Sequence, residues 1–334
     1  MCEAGRVSDL DTRPTEQECH SCGAAGPEEL LLSARKVWLG KTTEVRRALP
    51  DREIRMIGAW CFLDHYGPED VSSSPGMQVW PHPHTGLQTV SWLFEGEIEH
   101  RDGLGSQAMV RPGELNIMTA GRGIVHSEMS LPDKPPTMHG VQLWVALPAA
   151  DRQMAPQFTS YHDLPDLTRP GVAGKVLLGE LDGVRSPAAG QTPLTGADLS
   201  VAAGAEVALQ VDREWEYGLF VAGGVLQVES TTAGTDQLVY LGTGRQTVRL
   251  ASVDGARVVL LGGLPFAEDI VMWWNFIGRS HDEIVEYREA WLRRDARFAP
   301  VVSPDEKVME APPLPTVTLK PRQRRHHPDD RGPH

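Results

Sequence analysis

The chain has 334 residues, 40% of them hydrophobic and 23% charged, and its formal net charge is -13. This composition is that of a globular protein with enough residues for two domains. The acidic balance argues against a general nucleic-acid binder, which would present a basic face. No stretch reaches the roughly 20 consecutive apolar residues of a membrane span, and the N-terminus lacks the apolar core of a secretory signal. We therefore expect a cytoplasmic monomer without nucleic-acid or membrane partners.

Residues 1–33 are polar and without periodicity, so we expect a disordered N-terminal arm. Within it, Cys19 and Cys22 form a C-x-x-C. This motif can be half of a zinc site or a redox pair. However, neither a second C-x-x-C nor a βαβ pattern accompanies it, so a chance pairing is favoured. With Cys2 and Cys61 the cysteines are too few and too unevenly spaced for a disulfide scaffold.

Short apolar runs between glycine and proline turns fill residues 34–150 and, after a proline-rich connection, residues 151–299. No long helical period interrupts these runs, and many short strands of this kind are typical of all-β barrels and sandwiches. The second half repeats the layout of the first, which indicates an internal duplication. The sequence therefore predicts an all-β protein with two β-rich domains in tandem.

The C-terminal part of the second domain contains a helical pattern. Ser280 and Glu283 have the spacing of a capping box, which predicts a short amphipathic helix over Asp282–Arg294. The preceding pair Trp273–Trp274 is interpreted as core or domain packing rather than as a ligand-binding motif. Residues 300–334 are rich in proline and then basic, and we expect a disordered tail there.

Two pairs of metal-ligand residue types occur at a spacing of two: His82 with His84, and His126 with Glu128. Alternate residues of a strand point to the same face, so each pair can direct both side chains at one point. Pro83 favours an extended backbone between the first two. Together the pairs predict a site for one divalent transition metal, with Fe, Mn, Ni, Cu, Zn or Co as candidates. Four protein ligands leave up to two octahedral positions open for substrate and dioxygen.

The second half differs from the first in one respect that bears on the metal. None of the twelve histidines lies between His162 and His281. At the place where the first half has its H-x-H, the second half reads R-E-W-E-Y over Arg213–Tyr217. We therefore expect the second barrel to have no metal ligands and to serve as a scaffold or as a partner surface.

Several other polar residues near the predicted site are also interpreted. His139 and Gln142 flank the strand after the second pair and can line the pocket, although a packing role is equally compatible with them. For Asp64–His65 we favour a turn over a place at the barrel mouth. For His100–Asp102 we expect a β-turn on the solvated surface.

The runs P-H-P-H-T-G-L-Q, P-G-E-L-N-I-M-T-A-G-R-G-I-V-H-S-E-M and H-G-V-Q-L-W-V-A-L-P closely resemble the pirin family of bicupins. The resemblance covers roughly residues 34–295. It implies two tandem cupin barrels, with a mononuclear metal, usually Fe(II), in the N-terminal barrel only. It also implies the ligands, which are His82, His84, His126 and Glu128.

One position departs from the family pattern. Gln88 stands where cupin motifs and many pirins have a glutamate. Because the carboxylate ligand of pirins comes from the second motif, metal binding is still expected through Glu128. Gln88 removes an acid from the neighbourhood, but it can orient a ligand or a water molecule as a hydrogen-bonding group near the metal.

The resemblance implies an activity of the quercetin 2,3-dioxygenase type, in which a flavonol and O2 react and Glu128 acts as both ligand and catalytic base. It also implies an alternative, an iron-dependent redox-responsive regulator that binds a metabolic enzyme or a transcription factor without turnover. A metal-dependent small-molecule binder without turnover is a third possibility. The same four ligands would serve all three functions.

Overall fold

The structure is a computed structural model, and it describes residues 27–39, 43–301 and 307–321. In these residues 25 strands and one helix are present. The C-x-x-C of Cys19 and Cys22 lies outside the described residues. Within them, no helix has both the length and the apolar character needed to cross a membrane.

The N-terminal half of the chain contributes twelve strands, most of them short and separated by turns. They are β1 (Glu29–Ser33), β2 (Arg35–Leu39), β3 (Thr43–Leu49), β4 (Trp60–Asp70), β5 (Gln78–His84), β6 (Leu87–Glu95), β7 (Ile98–Asp102), β8 (Gln107–Val110), β9 (Leu115–Thr119), β10 (Ile124–Met129), β11 (Thr137–Ala146) and β12 (Gln157–Tyr161). Two antiparallel sheets form the N-terminal barrel. One has seven strands in the order β12-β9-β6-β11-β4-β3-β2, and the other has the order β5-β10-β7-β8.

The C-terminal half contributes thirteen strands and the helix. They are β13 (Asp166–Arg169), β14 (Val172–Leu178), β15 (Glu180–Leu181), β16 (Val184–Arg185), β17 (Leu194–Val201), β18 (Ala205–Gln210), β19 (Glu216–Val228), β20 (Thr231–Gly234), β21 (Gln237–Leu241), β22 (Thr247–Ser252), β23 (Ala256–Gly263), β24 (Val271–Trp273), β25 (Phe276–Gly278) and α1 (His281–Leu292). The path β1-β21-β19-β23-β17-β14-β13 is the main sheet of the C-terminal barrel, to which β18, β20 and β22 are attached. The predicted all-β class with two cupin-type domains is confirmed.

The two barrels pack against each other through a shared apolar core. Buried side chains of both barrels belong to one cluster, which includes Trp60 and Leu63 of β4, Phe220 of β19 and Val259 of β23. The indole Nε1 of Trp60 also donates to the Thr195 carbonyl, 3.0 Å away. The outer face of the larger N-terminal sheet is therefore buried, and the opposite face of that sheet is left to line the barrel interior.

The interior of the C-terminal barrel is filled with apolar side chains. In the wall of this barrel β18 pairs with β22, just as β5 pairs with β10 in the first barrel. These two strands contribute Leu209, Val248 and Leu250 to a second core cluster. The counterpart of the H-x-H strand is thus β18. Arg213–Tyr217, which the sequence suggested instead, covers the loop after β18 and the start of β19. In the first barrel, strands β5 and β10 carry the imidazoles instead.

Three segments cross the predicted domain boundaries. Glu29–Ser33, expected in the disordered arm, forms β1 and pairs with β21. Gln157–Tyr161, expected in the second domain, forms β12 and pairs with β9 of the first barrel. Residues 307–321 of the expected disordered tail pack on the protein, with Ala311 and Leu319 buried. Each of these segments satisfies backbone or apolar groups that the barrels would otherwise leave exposed at their edges.

Helix α1 follows the prediction closely but begins and ends slightly earlier than expected. Ser280 is its N-cap, and its side chain accepts a hydrogen bond from the Glu283 N–H. The Glu283 carboxylate accepts from the Arg279 N–H at 2.7 Å, so the capping box is only half formed. Trp273 and Trp274 are 3% and 5% exposed and pack in the core cluster that includes α1, as predicted.

Candidate metal centre

Strands β5 and β10 bring the two sequence pairs together. In the antiparallel register His126 lies opposite His82, and Ile124 lies opposite His84. A β-bulge between His126 and Glu128 shifts the register, as is common beside functional sites. Strand β5 is the outermost strand of its sheet, which is where a strand can contain prolines such as Pro83 without losing ladder hydrogen bonds.

The three imidazoles form a compact buried group. Their ring centroids are 4.4 Å apart for His82 and His126, 4.9 Å for His82 and His84, and 5.0 Å for His84 and His126. Each ring offers one nitrogen as a ligand atom, and these three nitrogens lie within 4.8 Å of one another. All three are at most 2% exposed. Such a group can hold one metal ion.

Hydrogen bonds determine which nitrogen each ring presents. Nδ1 of His82 donates to the Trp80 carbonyl at 2.8 Å, and Nδ1 of His84 donates to the Asn275 carbonyl at 3.1 Å. Each ring therefore keeps a lone pair on Nε2. Nε2 of His126 is buried and has no hydrogen-bond partner among the described residues. A buried nitrogen left in this way is what a metal ligand requires before the ion binds.

Burial also keeps the imidazoles uncharged. It lowers the pKa of His82 to about 4. Burial, followed by the neighbouring histidines, holds the pKa of His84 and of His126 well below the usual range. At neutral pH all three rings are therefore neutral, and neutral imidazole is the form that binds divalent transition metals.

Glu128 adds a carboxylate beside this group. With His126 and His100 it forms a second set of side chains whose ligand atoms lie within 4.8 Å of one another. Ser91 Oγ lies 3.2 Å from a Glu128 oxygen and 2.9 Å from Oε1 of Gln142. Because a hydroxyl has one hydrogen, both contacts are hydrogen bonds only when the Gln142 amide is turned over, so that its NH2 group donates to Ser91 and Ser91 donates to Glu128. Gln142 thus reaches the carboxylate through Ser91.

The other two predicted pocket residues have different surroundings. The Gln88 amide donates to Thr119 Oγ1 at 2.9 Å, which links β6 to β9. His139 packs against neighbours of its own sheet: its Nε2 lies 2.9 Å from Nε2 of His65, and its ring contacts Phe94. Of the two roles left open for His139, the packing role is the one that the contacts match.

Two sequence interpretations were wrong. His100 and Asp102 are 3% exposed and belong to β7, because that strand continues to Asp102 and the turn begins after it. Asp64 and His65 do not form a turn, since β4 runs past them to Asp70. Asp64 is buried and accepts two hydrogen bonds from Arg47, at 2.7 and 2.6 Å.

Sequence reasoning missed two residues at the site. His100 lies opposite Glu128, and its Nδ1 is 3.5 Å from Nδ1 of His126. Its signal was present, because E-H-R-D places His100 and Asp102 at the same spacing of two as the other pairs. Asn275 acts through its backbone carbonyl, and a carbonyl has no sequence signature.

The chain is similar to known proteins over most of its length. The family model described as Pirin matches residues 42–145, and the model described as Pirin C-terminal cupin domain matches residues 196–299. A Pseudomonas aeruginosa protein named "Putative quercetin 2,3-dioxygenase" is 45% identical over 290 residues, which are 86% of this chain and 92% of that protein. The rat protein named Pirin is 30% identical over 266 residues, covering 77% of this chain and 89% of that protein.

A solved structure agrees with these sequence comparisons. The crystal structure of a quercetin 2,3-dioxygenase from Acinetobacter baumannii superposes with a TM-score of 0.84 at 40% identity, covering 87% of this chain and 98% of that one. The family models match both barrels in order, and the relatives match nearly end to end. The chain therefore belongs to the pirin family, with two cupin domains in tandem.

Proposed function

We propose that this protein is a mononuclear metal enzyme that opens flavonols with dioxygen, an activity of the quercetin 2,3-dioxygenase type. Its metal is held by His82, His84, His126 and Glu128. The observation that carries the proposal is the buried group of three neutral imidazoles beside a carboxylate. The names of the similar Pseudomonas and Acinetobacter proteins support the same activity.

Fe(II) is the metal that we propose. Imidazole and carboxylate ligands with open coordination positions are the donors that iron oxygenases use. Mn, Ni, Cu, Zn or Co would fit the same donors, and their availability decides among them as much as affinity does. The donors present thus fit a single divalent ion of this class.

A metal held by these residues would act as a Lewis acid on the flavonol hydroxyl group and would hold the flavonol close to dioxygen. The residues of the chain supply the rest. The three imidazoles remain neutral because they are buried, so their lone pairs stay available. Glu128 accepts the proton of the flavonol hydroxyl, and the hydrogen bond from Ser91 orients its carboxylate. The burial of these side chains keeps bulk water away from the reacting centre.

The test is oxygen uptake with quercetin by the Fe(II)-loaded protein. We expect uptake by the wild type and only background uptake by His126→Ala, because that variant lacks a metal ligand. His162→Ala is the matched control, since the His162 side chain is 64% exposed and pairs with Glu114. It should retain full activity. Equal turnover by His126→Ala or by free iron would contradict the proposal.

The regulatory alternative predicts a different result. The protein would take up no oxygen with any flavonol, and it would retain one stoichiometric protein partner in the Fe(II) form but not in the Fe(III) form. This pair of results would replace the enzymatic function with a regulatory one.

A further inference from the structure

A chain of hydrogen bonds lies behind His126, on the side opposite its Nε2. Nδ1 of His126 is 3.5 Å from Nδ1 of His100, and Nε2 of His100 is 3.2 Å from an Asp102 oxygen. All three side chains are buried. Strand register explains the arrangement, since β7 runs beside β10 with His126 opposite Asp102 and Glu128 opposite His100.

When each of the two rings carries one hydrogen, the hydrogens of this chain can point in only one direction. The other oxygen of Asp102 accepts the backbone N–H groups of Leu104 and Ser106, at 2.9 and 3.1 Å. The ionised carboxylate can only accept, so His100 must donate from Nε2. A neutral His100 then has its lone pair on Nδ1 and accepts from His126 Nδ1–H. That leaves the lone pair of His126 on Nε2, the nitrogen that has no partner in the described part of the chain.

Packing fixes the ring plane of His100 as well. Phe158 of β12 stacks on it with a centroid separation of 4.3 Å and an interplanar angle of 13°. The ring therefore keeps the orientation that directs Nδ1 at His126 and Nε2 at Asp102.

We propose that His100 and Asp102 are positioning residues that set the tautomer of His126 and so direct its Nε2 to the metal. For His82 and His84, the backbone carbonyls of Trp80 and Asn275 hold the hydrogen on Nδ1 in the same way. Partners of this kind raise the basicity of a metal-bound imidazole and fix its tautomer. The inference rests on the metal site proposed above but not on the reaction.

Asp102→Asn tests the proposal most sharply. The asparagine oxygen continues to accept from Leu104 and Ser106, so its NH2 group faces His100. His100 must then accept at Nε2 and donate from Nδ1, which moves the hydrogen of His126 onto the metal-facing Nε2. We expect Co(II) affinity to fall by about 10- to 100-fold.

The NMR spectrum of the Co(II)-loaded protein gives a second readout. The wild type should show three hyperfine-shifted exchangeable imidazole N–H signals, one each from His82, His84 and His126. Asp102→Asn should lose or shift the one from His126. Glu99→Gln is the matched control, because Glu99 lies on the same strand and accepts from Arg101 and Gln107 instead. It should leave affinity and signals unchanged.

Two substitutions of His100 complete the test. His100→Gln can still accept from His126 and donate to Asp102, so it should bind Co(II) within a few-fold of the wild type. His100→Leu should weaken binding as much as Asp102→Asn does. If His100→Leu fails to fold, Asp102→Asn and His100→Gln decide the question.

Two results would overturn the proposal. One is Co(II) binding by Asp102→Asn within about threefold of the wild type, well short of the loss typical of such partners, with all three N–H signals in place. The other is a loss of Co(II) in His100→Gln as large as in His126→Ala, which would make His100 a ligand. Neither measurement uses oxygen uptake. A protein that binds Co(II) as expected but does not turn over quercetin would therefore fail only the proposed function.

Discussion

At the scale of residues, each imidazole of the candidate metal centre has a different partner on its Nδ1 side. His82 uses the carbonyl of Trp80 two residues before it, within the same strand. His84 uses the carbonyl of Asn275, far along the chain. His126 uses the side chain of His100. The rings are therefore oriented by local backbone, by a distant segment and by a neighbouring strand, and this orientation precedes any metal.

His139 lies at the junction between the barrels, and its protonation affects the stability of the fold there. Its Nε2 faces Nε2 of His65, and His65 Nδ1 is 2.7 Å from an Asp236 oxygen of the C-terminal barrel. One of the two facing Nε2 atoms must carry the hydrogen and the other must accept it. Burial, followed by the nearby His65 and Arg257, lowers the pKa of His139 to about 4.

This shift predicts a pH dependence of stability in the metal-free protein. The ordinary pKa of histidine is 6.5, so the unfolded chain binds more protons than the folded one between pH 6.5 and 4. The stability contributed by neutral His139 is present above pH 6.5 and is lost as the pH falls towards 4. His139→Gln should reduce proton uptake on unfolding near pH 5 by about one proton.

Urea unfolding between pH 6.5 and 4.5 measures this effect. We expect a shallower pH dependence of the unfolding free energy in His139→Gln than in the wild type, although His82, His84 and His126 leave part of the slope. The comparison variant is His162→Gln, in which the replaced side chain is 64% exposed. Identical slopes for the wild type and His139→Gln would show that His139 does not titrate in this way.

At the scale of elements, β5 is held along both of its edges. Strand β10 pairs with it on one side. On the other side the Met309 N–H donates to the Pro81 carbonyl at 2.9 Å. The end of β5 meets β25, where Thr85 bridges to Phe276. The strand that carries the H-x-H is thus fixed by residues from the last fifth of the chain.

Strand β25 packs closely against the backbone of Gly86, just after the end of β5. Its φ is +71°, and a Cβ there would collide with the Ile277 carbonyl oxygen. Gly113 has a similar φ of +86° but open space around it. Gly113→Ala should therefore lose only the cost of the left-handed backbone, about 1 kcal/mol. Gly86→Ala should lose about 1–3 kcal/mol more, because β25 must move.

Urea unfolding of the two variants compares these costs, and metal titration adds a second comparison. Displacement of β25 takes the Asn275 carbonyl away from His84, so Gly86→Ala should also bind metal more weakly while Gly113→Ala should not. Equal losses of stability in both variants, with unchanged metal affinity, would mean that the close packing of β25 against Gly86 does not support the metal centre.

The elements that the sequence predicted are those with a local signal. A spacing of two predicts strands with one shared face, and His82, His84 and His126 do share one. The same rule applied to E-H-R-D would have placed His100 and Asp102 with them, but the nearby glycines favoured a turn. The positions of β1, β12 and residues 307–321 depend on which sheet edges need a partner. Edge pairing between distant segments leaves no periodicity in the sequence.

At the scale of the whole molecule, the two barrels differ in what fills them. The C-terminal barrel contains an apolar cluster with Leu209, Val248 and Leu250, whereas the first barrel contains buried polar groups such as His126 and Glu128. Burying polar groups costs stability unless each finds a partner. The apolar core between the barrels and inside the second one offsets that cost. The scaffold role expected of the second barrel from the gap in histidines stays a prediction.

Anomalous diffraction from crystals of the Fe(II)-loaded protein tests the central claim most directly, because it locates the metal. We predict one anomalous peak per chain, in the N-terminal barrel. It should lie about 2.0–2.3 Å from Nε2 of His82, His84 and His126 and from a Glu128 oxygen. A peak bound by His100 in place of one of these residues, a peak in the C-terminal barrel, or no peak despite stoichiometric iron would contradict this account.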